Sequence, residues 1–179
     1  MATKKIISLL LISFVLMSNT IEYTKSLSDT QEYALKAAFI YRFIEYVEWD
    51  KNNNSKTFEI GVLKESPITE MLVEISKDKK VKDKKMYIRE YDDLNDIGFC
   101  DILFVSQNYD RPIEEVISKF GNKNLLIITE KIGYGAKGSH INFLISENKL
   151  KFEVNLSAVK KAGLKLSSQL LEHATIIVP

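Results

Sequence analysis

The chain has 179 residues, 45% of them hydrophobic, with 25 Lys+Arg against 24 Asp+Glu, two His, one Cys, seven Gly and three Pro. A single domain of this size buries enough apolar surface to hold a core without disulfides or a structural metal, which excludes disordered, collagenous and disulfide-scaffold classes. A formal charge of +1 supplies no field for nucleic acid, and one Cys with two His supplies no Cys/His metal cluster.

Lys4 and Lys5 precede the apolar run from Ile6 to Met17, and polar Ser18-Asn19-Thr20 follows. That layout is a secretory signal peptide, because the run is shorter than the roughly 20 apolar residues that span a bilayer. The alternative is an uncleaved N-terminal anchor. Cleavage is expected between Thr20 and Leu27, so residues 1–26 are assigned to the signal and 27–179 to one folded domain. No Cys closes the apolar run, which argues against a lipoprotein.

Ser28-Asp29-Thr30 offers capping oxygens, and Glu32 completes a capping box if Asp29 is the cap. Helical spacing of Ala34, Ala37, Ala38, Tyr41, Ile44 and Val47 predicts a helix from Thr30 to about Trp49, covered on more than one side. Asp50 to Ser55 reads as a polar loop, and the alternation of Phe58, Ile60 and Val62 predicts a strand from Thr57 to Leu63. Pro67 opens a second helix with Ile68, Met71, Leu72 and Ile75 on one face. A Lys/Asp-rich turn, Lys77 to Lys85, leads into a strand from Met86 to Tyr91, and Asp92 to Ile97 is expected to form one short helical turn.

Asp101 to Ser106 and Asn124 to Thr129 are the continuous apolar runs of strands buried on both faces, with a helix from Pro112 to Phe120 between them. His140–Ile145 and Leu150–Asn155 read as an antiparallel hairpin, with Phe152 and Val154 facing the core and Lys151, Glu153 and Asn155 facing away. Ser157 to about His173 is predicted as one helix weakened at Gly163, and Ile176-Ile177-Val178 joins the sheet or an interface. The alternation of helices and strands predicts a single α/β domain: a mostly parallel sheet flanked by helices, with a C-terminal antiparallel hairpin and a final helix.

Signals of chemistry are weak. Gly133-Tyr134-Gly135-Ala136-Lys137-Gly138 matches a dinucleotide fingerprint by letter, but it runs into a strand rather than a helix, so these glycines are expected to supply left-handed loop positions. Cys100 is expected to be a packed thiol, and His140 and His173 form no recognisable site with it. Asp92, Asp93 and Asp96 read as a solvated turn, and no serine has the nucleophile-elbow context. No catalytic residue, cofactor or metal is expected, and the chain is read as a non-enzyme.

Several stretches together resemble one family. The helix Ala34-Leu35-Lys36-Ala37-Ala38-Phe39-Ile40-Tyr41-Arg42-Phe43 with Val47-Glu48-Trp49, the strand from Cys100 to Ser106, the pieces Gly138 to Phe143 and Phe152 to Asn155, and Ala162 to Leu171 are similar to the YfiR family of periplasmic proteins. The resemblance covers roughly residues 28–178. It implies a homodimeric periplasmic regulator that binds the sensor region of an inner-membrane signalling protein, a diguanylate cyclase or a histidine kinase. Repression of the cyclase would lower cyclic-di-GMP signalling and restrain biofilm growth. Relatives use disulfides, whereas Cys100 has no partner within the chain, so intramolecular disulfide control is excluded here. Glu153, Lys161, Leu164 and Lys165 are the expected partner contacts, Leu164 either as an exposed anchor or packed beneath the hairpin. The competing reading is a periplasmic binding module for a small ligand or envelope polymer, with a pocket lined by Trp49, Tyr41 or Tyr134.

Overall fold

The computed structural model describes residues 27–49, 55–174 and 176–178, the last three by their backbone. The expected signal segment and most of the Asp50–Ser55 loop lie outside the described residues. The elements in chain order are α1 (Asp29–Tyr46), β1 (Val47–Trp49), β2 (Thr57–Leu63), α2 (Ile68–Asp78), β3 (Lys80–Val81), β4 (Lys84–Tyr91), β5 (Ile102–Val105), α3 (Ile113–Phe120), β6 (Leu126–Thr129), β7 (Ile141–Ser146), β8 (Lys149–Asn155), α4 (Leu156–Lys161), β9 (Leu164–Leu166), α5 (Ser168–Glu172) and β10 (Ile176–Val178).

Eight strands form one sheet in the order β10-β8-β7-β6-β5-β2-β4-β3. The stretch β4-β2-β5-β6-β7 is parallel throughout, while β3 and β8 run antiparallel to their neighbours β4 and β7. The chain first steps from β2 to β4 and then crosses back over β2 to reach β5, so the order reverses at β2/β5. Right-handed crossovers then require α2 and α3 to lie on opposite faces. Burial agrees: Ile68 and Leu72 of α2 join Phe58, Ile60, Val62, Phe104 and Ile128 in one core, whereas Ile113, Val116 and Phe120 of α3 join Leu63, Leu103, Val105 and Ile127 in the other. Alternate residues of the same strands feed the two cores, as the pleat demands.

The parallel sheet, the hairpin and the attachment of the C-terminal segment to the sheet agree with the expected architecture. The hairpin closes through Glu147 (φ 53) and Asn148 (φ 57), the two left-handed residues whose twist matches paired strands. Asn155 faces away from the core of Phe152 and Val154, as expected, but is covered there: its amide donates to the Gly135 carbonyl at 2.9 Å and the side chain is buried.

Three further expectations are corrected. The first helix is capped by Ser28, not Asp29, with Gln31 completing the box, and it stops at Tyr46; Val47–Trp49 form β1 instead of a last turn. Residues 92–97 form a turn closed by Asp96 N–H on the Asp93 carbonyl at 3.2 Å, not a helix. The long terminal helix is broken into α4, β9 and α5. Gly163 (φ 69) ends α4, and β9 pairs antiparallel with β1, Trp49 opposite Leu164 and Glu48 opposite Lys165. Sequence periodicity missed both strands because each is three residues long and draws its hydrogen bonds from a partner more than a hundred residues away.

Candidate functional site

In an open α/β sheet, the crevice at the carboxyl ends of the strands where the order reverses is the place a ligand is taken. Here that position is the end of β2, β5 and β6. After Leu63, Lys64 turns the chain with φ 70, and the Glu65 carbonyl receives hydrogen bonds from Ser106 Oγ at 3.0 Å and Asn108 Nδ2 at 2.9 Å. The Ser106 N–H donates to the Leu63 carbonyl at 3.1 Å. These bonds stitch the two strand ends together across the reversal.

The first turns of α1 meet the ends of β5 and β6. Lys36 Nζ lies 2.6 Å from Glu130 Oε2 and 2.5 Å from Glu32 Oε1, and its side chain and that of Glu130 are 5% and 1% exposed. Glu130 Oε1 also accepts the Gln107 N–H at 2.8 Å and the Tyr33 hydroxyl at 3.4 Å, while Gln107 Nε2 donates to the Tyr33 oxygen at 3.1 Å. Burial, reinforced by the neighbouring Glu130 carboxylate, pushes the Tyr33 phenol up to about 12, so it stays protonated and donates its hydrogen bond to Glu130. A buried ion pair is tolerated only when its remaining hydrogen-bonding capacity is used, and here it is used within the protein. The cluster therefore ties α1 to the sheet at the carboxyl ends of β5 and β6, beside the reversal.

None of these residues was singled out from sequence. The available signal was Lys36 itself, a charge between Tyr33, Ala37 and Ile40 on the buried face of an amphipathic helix; its partner Glu130 lies 94 residues away and has no local mark.

The four expected partner contacts lie on three elements, β8, α4 and β9. Glu153 is half-buried on β8, accepts from Asn142 Nδ2 at 2.9 Å, and lies so close to Gly135 that an added Cβ there would meet its Oε2 at 2.5 Å. Lys161 is exposed at the end of α4 and Lys165 on β9. Leu164 is 4% exposed and belongs to the core, because residues 164–166 are a strand whose alternate side chain points inward. Of its two expected placements, burial is the one found.

The aromatic residues of the competing reading are dispersed. Trp49 stacks edge-on against Phe58 and donates its indole N–H to the Asp101 carbonyl at 3.3 Å, and the Tyr41 hydroxyl donates to the Lys80 carbonyl at 3.4 Å. Tyr134 packs on the core of the opposite sheet face. Gly133 (φ 83) and Gly138 (φ 109) are left-handed, as a loop leading into a strand requires.

Cys100 is buried, and burial with the adjacent Asp101 charge pushes its thiol up to about 12, the opposite of an activated nucleophile. His140 accepts the Ile127 N–H on Nδ1 at 2.9 Å, and its Nε2 faces the Gly121 carbonyl without a well-formed hydrogen bond. His173 is exposed at the C-terminus of α5. Among the described residues no three His, Cys, Asp or Glu converge to hold a metal, and no helix is long and apolar enough to cross a membrane.

The geometry defines a class: a doubly wound α/β domain with an appended hairpin, whose first helix is fastened to the carboxyl ends of the strands by a buried ion-pair cluster. The chain belongs to the YfiR/HmsC-like family, whose model matches residues 33–175. No curated protein matches it.

Proposed function

We propose that the protein is an exported, non-enzymatic regulator that binds the periplasmic sensor region of an inner-membrane diguanylate cyclase and holds it inactive, lowering cyclic-di-GMP signalling and restraining biofilm growth. Family membership across residues 33–175 is the observation that carries this reading. The buried Lys36–Glu130 pair with Tyr33 is consistent with it, since its hydrogen-bonding groups are used within the protein at the carboxyl ends of the strands. In this reading residues 1–26 are the export signal and residues 27–179 the working domain, a homodimer. Lys161 and Lys165, with the exposed edge of Glu153 and with Leu164 as the buried support of β9, contribute to the partner contact.

Capture from solubilised membranes tests it directly. The tagged mature protein is expected to retain an inner-membrane protein carrying a cyclase domain, and deletion of the gene to raise cyclic-di-GMP. Capture of no membrane sensor, together with a defined small molecule bound to the purified protein, would favour the ligand-binding module instead.

A further inference from the structure

The charge that balances over the whole chain is segregated in the sequence and in the fold. Residues 77–89 hold seven basic residues against Asp78 and Asp83, a surplus of five in a chain whose total is +1, so the remainder is net acidic. This stretch is the end of α2, the short β3 and most of β4, at one edge of the large sheet. Lys79, Lys80, Lys82 and Lys85 are exposed, and the tip is a two-residue turn of Lys82 (φ 46) and Asp83 (φ 68) that carries the hairpin outward. Lys80 and Lys85 stand directly opposite each other in the antiparallel ladder, a like-charge pairing that costs stability. Lys85, Tyr87 and Arg89 alternate onto one face of β4, and Tyr87 is 47% exposed there, while α2 covers the other face through Met86.

We propose that this β3–β4 hairpin docks the protein onto a bilayer surface rich in anionic phospholipid. Six of the seven cations are lysines. Ammonium groups on flexible stems act as point charges without a fixed partner geometry, which suits a diffuse field of headgroups. An exposed tyrosine between Lys85 and Arg89 places an amphipathic ring where headgroups and acyl chains meet. Lysines on an edge strand also discourage edge-to-edge pairing, but that role gives no preference for one lipid charge over another. The inference goes beyond the regulator reading and is tested apart from it, since vesicles contain no protein partner.

The experiment is co-sedimentation of the full chain with vesicles of phosphatidylglycerol and phosphatidylcholine, against pure phosphatidylcholine, at low and high salt. Residues 1–26 are common to wild type and variants, so the binding of their apolar run and of Lys4 and Lys5 cancels in that comparison, which carries the test. Wild type is expected to prefer the anionic vesicles and to lose that preference in high salt. Each lysine near an anionic surface contributes roughly fivefold, so the K79Q/K80Q/K82Q/K85Q variant should lose several hundredfold of the preference. Its thermal unfolding should be unchanged or improved, because the Lys80–Lys85 repulsion is gone. Lys82→Gln alone, at the tip and outside the ladder, should lose roughly fivefold with the fold undisturbed. Equal partition of wild type to neutral and anionic vesicles overturns the proposal. So does binding of wild type to polyglutamate without binding to the vesicles, which would assign the hairpin to an acidic polypeptide.

Discussion

At the scale of single residues, the chain uses buried polar groups to hold parts together. Lys36 and Glu130 are the sharpest case. Lys36→Met leaves Glu130 nearly solvent-free without its cation, and breaking a buried pair on one side costs about 3–5 kcal/mol. Adding Glu130→Gln, which keeps acceptors for Gln107 and Tyr33, should restore most of the loss in urea unfolding; a double variant no better than the single one would show the pair is not coupled. His140 makes a second residue-scale prediction. Burial lowers its folded pKa from 6.5 to about 4, since Nδ1 must stay unprotonated to accept the Ile127 N–H. The unfolded chain therefore binds the extra proton first as pH falls. The stability held by the neutral imidazole is complete above pH 6.5 and declines down to about pH 4, by roughly 3 kcal/mol in all. Urea midpoints of wild type and His140→Asn across that window check it, the variant showing a shallower slope. The burial of Cys100 was legible from residue type alone, but the contacts of His140 were not, because Ile127 and Gly121 reach it through the strand order.

At the scale of elements, α1 and the C-terminal segment show where local pattern suffices and where it fails. The apolar arc of α1 was plain in sequence, since 18 helical residues without Gly or Pro repeat the 3.6 period several times. Its end was not, because Val47-Glu48-Trp49 continue the arc in letters yet leave the helix to pair with β9. Hydrogen bonds offered by Leu164–Leu166 outweigh one more helical turn, and Trp49 gains Phe58 as a ring partner. The break that frees β9 depends on Gly163. Its φ of 69 lies in the left-handed region, and an added Cβ would meet only Asn124 Nδ2 at an ordinary 3.5 Å. The cost of Gly163→Ala is then conformational, about 1–2 kcal/mol, read as a lowered urea midpoint with unchanged far-UV dichroism. An unchanged midpoint would mean that the turn relaxes without strain.

At the scale of the whole molecule, two cores share one sheet. Ile102 and Phe104 of β5 enter one, and Leu103 and Val105 of the same strand enter the other. Neither core can be lost while the other survives, so equilibrium unfolding should be a single transition. Trp49, the sole tryptophan of the chain, reports from the α1 side through its contact with Phe58, and far-UV dichroism reports the whole; their urea curves should coincide, and separated midpoints would refute the shared-sheet account. The sequence by itself determined the fold class, the buried central strands, the hairpin and the family, because these rest on hydrophobic period, turn residues and motif letters, which are local. It also determined the excess of lysine around residues 77–85, though not that this stretch stands at one edge of the sheet. Only the tertiary structure decided that Leu164 is core, that the terminal helix is three elements, and that Lys36 and Glu130 pair in the interior. Each of these joins segments far apart in the chain, and no local propensity specifies which distant segment will supply the partner.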